Sequence, residues 1–210
     1  MRPVVIPALA VILTPVLGQE PARTDTAKPY ERIVVVKVDS SLTADELYPV
    51  AKRWFVDVFR DADEVIQIDD PQRHTIVGKG NFTFIASILV ASAVRKGIMR
   101  FSVEVIVKNG RYRVRFYDYR HEGTHAYSPY LAPPLDLGLI YNDQAYCTHN
   151  YNLKDNPSYK PSKHEVRVCM EEVWPQIAEN ESSLLSVLFK AMTAAAAGGS
   201  KGGVKGVSDW

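Results

Sequence analysis

The sequence predicts an α+β fold of two layers, a curved antiparallel sheet with two helices on one face, in the order β-α-β-β-β-β-α. Three observations predict it. Tyr30 to Phe59 reads as one strand followed directly by one amphipathic helix. Asn109-Gly110, the preferred pair for a two-residue hairpin loop, separates two runs of alternating polarity. Helical patterns do not recur between the later strands, as a parallel sheet with crossover helices would require.

The first strand is Ile33 to Val38, IVVVKV, whose β-branched residues suit a pleated position. Thr43-Ala-Asp-Glu46 has the form of a capping box, and Leu47, Val50, Ala51, Trp54, Val58 and Phe59 recur at spacings of three and four. Pro49 deletes one helical hydrogen bond, so the helix is expected to start irregularly and become regular only near that residue. Glu64 to Asp70 follows as a short strand with Ile66 and Ile68 on one side. The third strand begins TIVGKGNFTF, where Gly78 and Gly80 share a face and leave a groove for a large helical side chain, with Trp54 the candidate. Phe82 to Val94 is uncharged. It fits the extended end of strand three, a short buried helix or the wall of a cavity, and the pattern does not choose among them.

Placing the hairpin turn at Asn109-Gly110 fixes a register. Val107 faces Tyr112, Val105 faces Val114 and Val103 faces Phe116 on an apolar side. Ile106 with Arg113, Glu104 with Arg115, Ser102 with Tyr117 and Arg100 with Tyr119 form the other side, which is basic and aromatic. Residues 123–161 have no periodicity and many tyrosines and prolines, which marks a long insertion. Ser162-Lys-His-Glu165 is a second capping box. It opens a helix with Val166, Met170, Val173, Ile177, Leu184, Leu188 and Met192 on one side, kinked by Pro175 and ended at Ala194 to Gly198.

Residues 1–18 read as a secretory signal peptide: Arg2, then an apolar run from Val4 to Leu17 that is shorter than the ~20 residues of a membrane span and is broken by prolines. Residues 19–29 form a polar linker, 30–197 one domain carrying the insertion at 123–161, and 198–210 a flexible Gly/Lys tail. The expected location is therefore exported, periplasmic or extracellular, with no stable membrane anchor. Export makes a disulfide between Cys147 and Cys169 possible; two separate buried thiols are the alternative, because the sequence does not give their separation. With 25 basic against 24 acidic residues the chain has no global field, so any electrostatic site must be local.

YERIV, the DELY…AKRWF helix, DEVIQ-DD, IVGKG and the K-N-G-RYR hairpin occur in an order that resembles an exported bacterial family, domain of unknown function 4468. The resemblance covers Tyr30 to about Tyr119 and implies a TATA-binding-protein-like fold. It implies no activity and no catalytic residues, and the Phe82–Val94 and Gly123–Pro161 stretches look longer than the family pattern needs.

The motifs for chemistry are sparse. His121 and His125 are four apart, with Cys147 and His149 downstream, but Gly123 between them argues against the helix that would make the pair a zinc corner. Neither HExxH, a paired CxxC nor a nucleophile elbow is present. No catalytic, cofactor or metal site is therefore expected. Arg100, Arg113, Arg115, Tyr117 and Tyr119 form the candidate binding face. Basic side chains interleaved with aromatics can hold nucleic acid, but the exported compartment and Glu104 beside Arg115 argue against that partner. The expectation is a non-enzymatic interaction module using this face and the tyrosine-rich loop on a protein, peptide or glycan partner. The alternative is a carrier of an apolar small molecule between the C-terminal helix and the sheet. Oligomeric state is not encoded in any pattern here.

Overall fold

The computed structural model describes residues 28–39, 41–59, 65–90, 93–123, 137–142, 147 and 162–199. The expected leader, the Gly/Lys tail beyond Gly199 and most of the insertion lie outside them. The elements are β1 (Glu31–Lys37), α1 (Ala44–Phe59), β2 (Ile66–Asp70), β3 (Thr75–Val90), β4 (Ala93–Lys108), β5 (Arg111–Gly123), β6 (Gly138–Leu139), α2 (Lys163–Val168), a π-helical turn (Cys169–Val173) and α3 (Trp174–Gly199). The sheet is antiparallel with strand order β1-β5-β4-β3-β2, and β6 continues beside β5 beyond the end of β1. It is an α+β architecture with helices on one face. The uncharged stretch from Phe82 proves to be extended strand: β3 runs to Val90 and β4 starts at Ala93.

Helix α1 is regular from Ala44 onward, contrary to the expectation of an irregular start. The capping box holds its first turn: Thr43 N donates to Glu46 Oε2 at 2.8 Å, and Glu46 N donates to Thr43 Oγ1 at 3.3 Å. Asn109 of the hairpin turn accepts from Ala44 N at 2.8 Å. Pro49 lies on the solvent side, where water can take the carbonyl that it leaves unpaired.

The glycine groove is filled by a different ring from the one expected. A Cβ on Gly78 would lie 2.6 Å from Phe55 Cε1, and one on Gly80 would lie 2.6 Å from Phe101 Cζ and 2.7 Å from Phe59 Cε1. Phe55 and Phe59, one helical turn apart, point straight at the sheet. Trp54 sits one step round the helix and is buried edge-on against both, at 4.9 and 5.8 Å between ring centroids. Ile76, Phe84, Met99, Val103, Val105, Val114 and Phe116 complete the covered face.

The last helix opens on the second capping box, with Glu165 N donating to Ser162 Oγ at 3.2 Å. Its irregularity is the π-turn just before Pro175, where Trp174 N bonds Cys169 O. One extra residue in that turn rotates the apolar stripe. Val173, Ile177, Leu184, Leu188 and Met192 are buried, whereas Met170 is turned outward and Val168 and Cys169 take its place. Cys169 is bonded to Cys147, with Cα atoms 5.8 Å apart. The bridge ties the insertion to the start of the helix, and Leu137 and Ile140 are buried beside β5.

Candidate binding face

Even-numbered residues of β4 from Ile98 to Lys108 and odd-numbered residues of β1 and of the first half of β5 line the face that no helix covers. Around the Asn109-Gly110 turn, where Gly110 takes φ 66°, the pairing is as read from the sequence as far as Ser102 with Tyr117. There the register slips. Asp118 adopts φ 53°, Phe101 faces an extra residue, and Arg100 pairs with Arg120 rather than Tyr119. The bulge turns Tyr119 to the covered side, so it is not part of the candidate face.

Tyr119 is instead wholly buried, stacked on Phe101 at 5.3 Å. Its hydroxyl donates to Glu181 Oε1 at 2.9 Å. Glu181 is itself fully buried on α3, and its other oxygen accepts from Arg32 Nη1 at 2.9 Å and from the Tyr30 hydroxyl at 3.3 Å. Desolvation, then the Glu181 charge, holds both phenols protonated far above the usual tyrosine range. The hydrogen bond that Arg32 donates to Glu181 holds the guanidinium pKa above its ordinary value. This network joins β1, β5 and α3. Its one sequence signal was Glu181 itself, a carboxylate in line with Ile177 and Leu184 on an otherwise apolar stripe.

The other four candidates are on the open face, and three are arginines held by carboxylates. Arg113 Nη2 donates to Glu104 Oε1 at 2.9 Å. Arg115 donates from Nε and Nη2 to Glu31 Oε2 at 2.9 and 2.7 Å, and its guanidinium lies 4.6 Å over the Tyr117 ring. Arg100 Nε reaches Glu122 Oε2 at 2.8 Å. Glu104 therefore neutralises Arg113, not Arg115 as the directly opposed pairing suggested, because the diagonal reach suits the arginine fork. Beside these pairs, Ile33 and Val35 of the edge strand β1 are 51% and 60% exposed, a pair that the sequence reading had assigned only to the strand. Val35 and Ile106 floor a hollow of about 230 Å³ rimmed by Lys108, Arg111 and Arg113.

Only His121 of the histidine pair is among the described residues. His121 is buried against Phe84 at 4.8 Å, and its Nδ1 accepts from Leu137 N at 3.1 Å. Cys147 is consumed by the disulfide, and His125 and His149 lie outside the described residues. Among the described residues no group of His, Cys, Asp and Glu is placed to hold a metal ion. No helix among them is long and apolar enough to cross a membrane.

Residues 33–122 match the family described as a domain of unknown function (DUF4468) with TBP-like fold. The DUF4468 match spans β1 through β5 and stops before the insertion and the last helix. A crystal structure of a DUF4468 family protein from Bacteroides ovatus has a TM-score of 0.51 at 14% identity, over 80% of this chain and 91% of that one, which shows a shared fold. A TBP-like protein from Parabacteroides distasonis has a TM-score of 0.48 at 12% identity, over 80% of this chain and 97% of that one. No curated protein matches the chain significantly.

Proposed function

We propose that the chain is an exported, non-enzymatic binding module that grips a macromolecular partner with the open face of its sheet. The observation that carries this is the exposed Ile33–Val35 pair on an edge strand, set among arginines already fixed by carboxylates. Apolar contact area beside a pre-ordered polar rim is the usual anatomy of a protein interface. Holding the arginines in place lowers the side-chain entropy lost on binding. Export is supported by the leader-like residues 1–18 and by the Cys147–Cys169 bridge, which an oxidising compartment favours. The tyrosine-rich part of the insertion belongs to the same proposal, although Tyr127, Tyr130, Tyr146, Tyr151 and Tyr159 lie outside the described residues.

The carrier alternative has less behind it. Where α1 and α3 meet the sheet, the described space is occupied by Phe55, Phe59, Phe101 and Tyr119 packed ring to ring, with Phe84 and Met99 buried in the same cluster.

A photo-reactive residue at position 35, in the cells that make the protein, tests the proposal. A discrete adduct is expected from Val35 and none from Val56, which is exposed on the outer side of α1. Equal labelling at both positions, or none at either, would remove the open face from consideration.

A further inference from the structure

At the hairpin end of the same open face, Lys37, Arg111 and Lys108 stand side by side on three adjacent strands. Lys37 is the register partner of Arg111, and Arg111 is the register partner of Lys108. All three are exposed, and among the described residues none has a carboxylate within ion-pair distance. The contrast with the rest of the face is sharp. Arg100, Arg113, Arg115 and Arg120 each have an acidic partner at 3.0 Å or closer. Like charges directly opposite one another on a sheet are destabilising, so the end row carries a cost that the folded protein does not offset internally.

The row borders a hollow of about 680 Å³ between the hairpin turn, the start of α1 and the β2–β3 turn, which adds Arg73 and His74 to the lining. Two carboxylates reach its rim. Asp45 is held by His74 Nε2 at 2.7 Å, and Asp70 lies 3.8 Å from Arg73 Nε. Four permanent cations thus face two acids, and the surplus sits on the three-strand row. Lys108 and Arg111 are shared with the smaller hollow floored by Val35 and Ile106. The cations therefore adjoin an apolar shelf.

We infer that the Lys37–Arg111–Lys108 row is a binding site for a phosphate or sulfate ester, whose oxyanion spans the row while its organic part lies along Val35 and Ile106. Two ammonium groups flanking a guanidinium supply charge from both sides and a planar donor fork at the centre. The inference rests on the open face being a binding surface, and it names the chemistry recognised at one end. The same oxyanion ester can come from a soluble molecule or from an anionic lipid headgroup.

The test is titration of the purified full chain at low salt with pyrophosphate, with phosphatidylglycerol vesicles against phosphatidylcholine vesicles, and with a short DNA duplex. Pyrophosphate should bind the parent protein, weaken by about tenfold in each of Lys108→Gln and Arg111→Gln, and be unaffected by Arg53→Gln on the outside of α1. Binding to phosphatidylglycerol vesicles alone, with the same variant dependence, supports the row with a headgroup as the source. Arg111→Gln removes repulsion, so its melting temperature should equal or exceed that of the parent, which separates lost binding from lost folding. Binding of neither pyrophosphate nor phosphatidylglycerol vesicles, equal loss in Arg53→Gln, or binding of the duplex without pyrophosphate would overturn the assignment. Retained pyrophosphate binding with no adduct at Val35 would sink the macromolecular contact and leave the anion site standing, and the reverse result would do the opposite.

Discussion

Glu181 accepts three hydrogen bonds in a place where the helix stripe calls for leucine. Removing the carboxylate leaves the wholly buried Tyr119 hydroxyl without its acceptor, whereas half-exposed Arg32 can turn to water. Glu181→Leu is therefore expected to cost about 2–3 kcal/mol, the range for losing hydrogen bonds to a charged group, and Glu181→Gln about 1 kcal/mol, because an acceptor remains. Adding Tyr119→Phe to Glu181→Leu should recover part of the loss, since the orphaned donor is removed with its partner. Urea unfolding of the four proteins of that cycle measures the coupling. Strictly additive losses would show that the two residues do not act as a unit.

At the scale of elements, the strands, both capping boxes and the hairpin turn were legible because each rests on local chemistry: a period, a cap, an Asn-Gly pair. Three of the features that were not legible share one cause. A single extra residue in an element reverses or rotates everything beyond it, and no composition signal announces it. The slip between Ile66 and Ile68 puts Ile66 against the core and leaves Ile68 in solvent, so they do not share a side. The bulge at Asp118 sends Tyr119 inward and takes it from the candidate face. The π-turn does the same to Met170 on the helix. Side-chain choice across a gap was equally hidden: Phe55 rather than Trp54 meets Gly78, and Glu104 takes Arg113 across the diagonal. The end row was hidden for another reason, since it exists only once β1 is laid beside β5.

The disulfide belongs to this scale because it fastens one element to another. Cys147 O accepts from Tyr141 N at 2.9 Å, and the neighbouring Ile140 O accepts from Tyr30 N at 2.8 Å, so the bridge leads from the last helix through the insertion to the approach of β1. The loop it closes spans a separation of 22 residues, for which chain entropy gives about 3 kcal/mol. Reduction should lower the melting temperature accordingly, and a Cys147→Ala/Cys169→Ala protein should melt at the reduced value whether or not reductant is present. A reductant response in that variant would refute the bridge as its source.

Across the whole molecule, ionisable groups bound its stability from both sides. On the acid side, hydrogen bonds from Lys52 and then Tyr48 hold the Asp69 carboxyl below its ordinary range, and the Thr43 cap does the same for Glu46. A lowered folded value contributes stability that is complete above the ordinary carboxylate range near pH 4 and is lost as pH falls through the folded value. On the alkaline side, burial pushes Tyr112 up to about 12, and burial with the Glu181 charge lifts Tyr30 and Tyr119 further. Desolvation and the Asp69 hydrogen bond raise Tyr48 as well. For these phenols the stability is complete below their ordinary value near pH 10 and is lost as pH climbs toward the folded values. The melting temperature should thus hold a plateau between roughly pH 5 and 9 and fall on both flanks. Because Tyr119 cannot ionise in place beside Glu181, tyrosinate absorbance from the buried phenols should rise together with the loss of circular dichroism. Their ionisation near pH 10 with the fold intact would contradict the buried network that joins β1, β5 and α3.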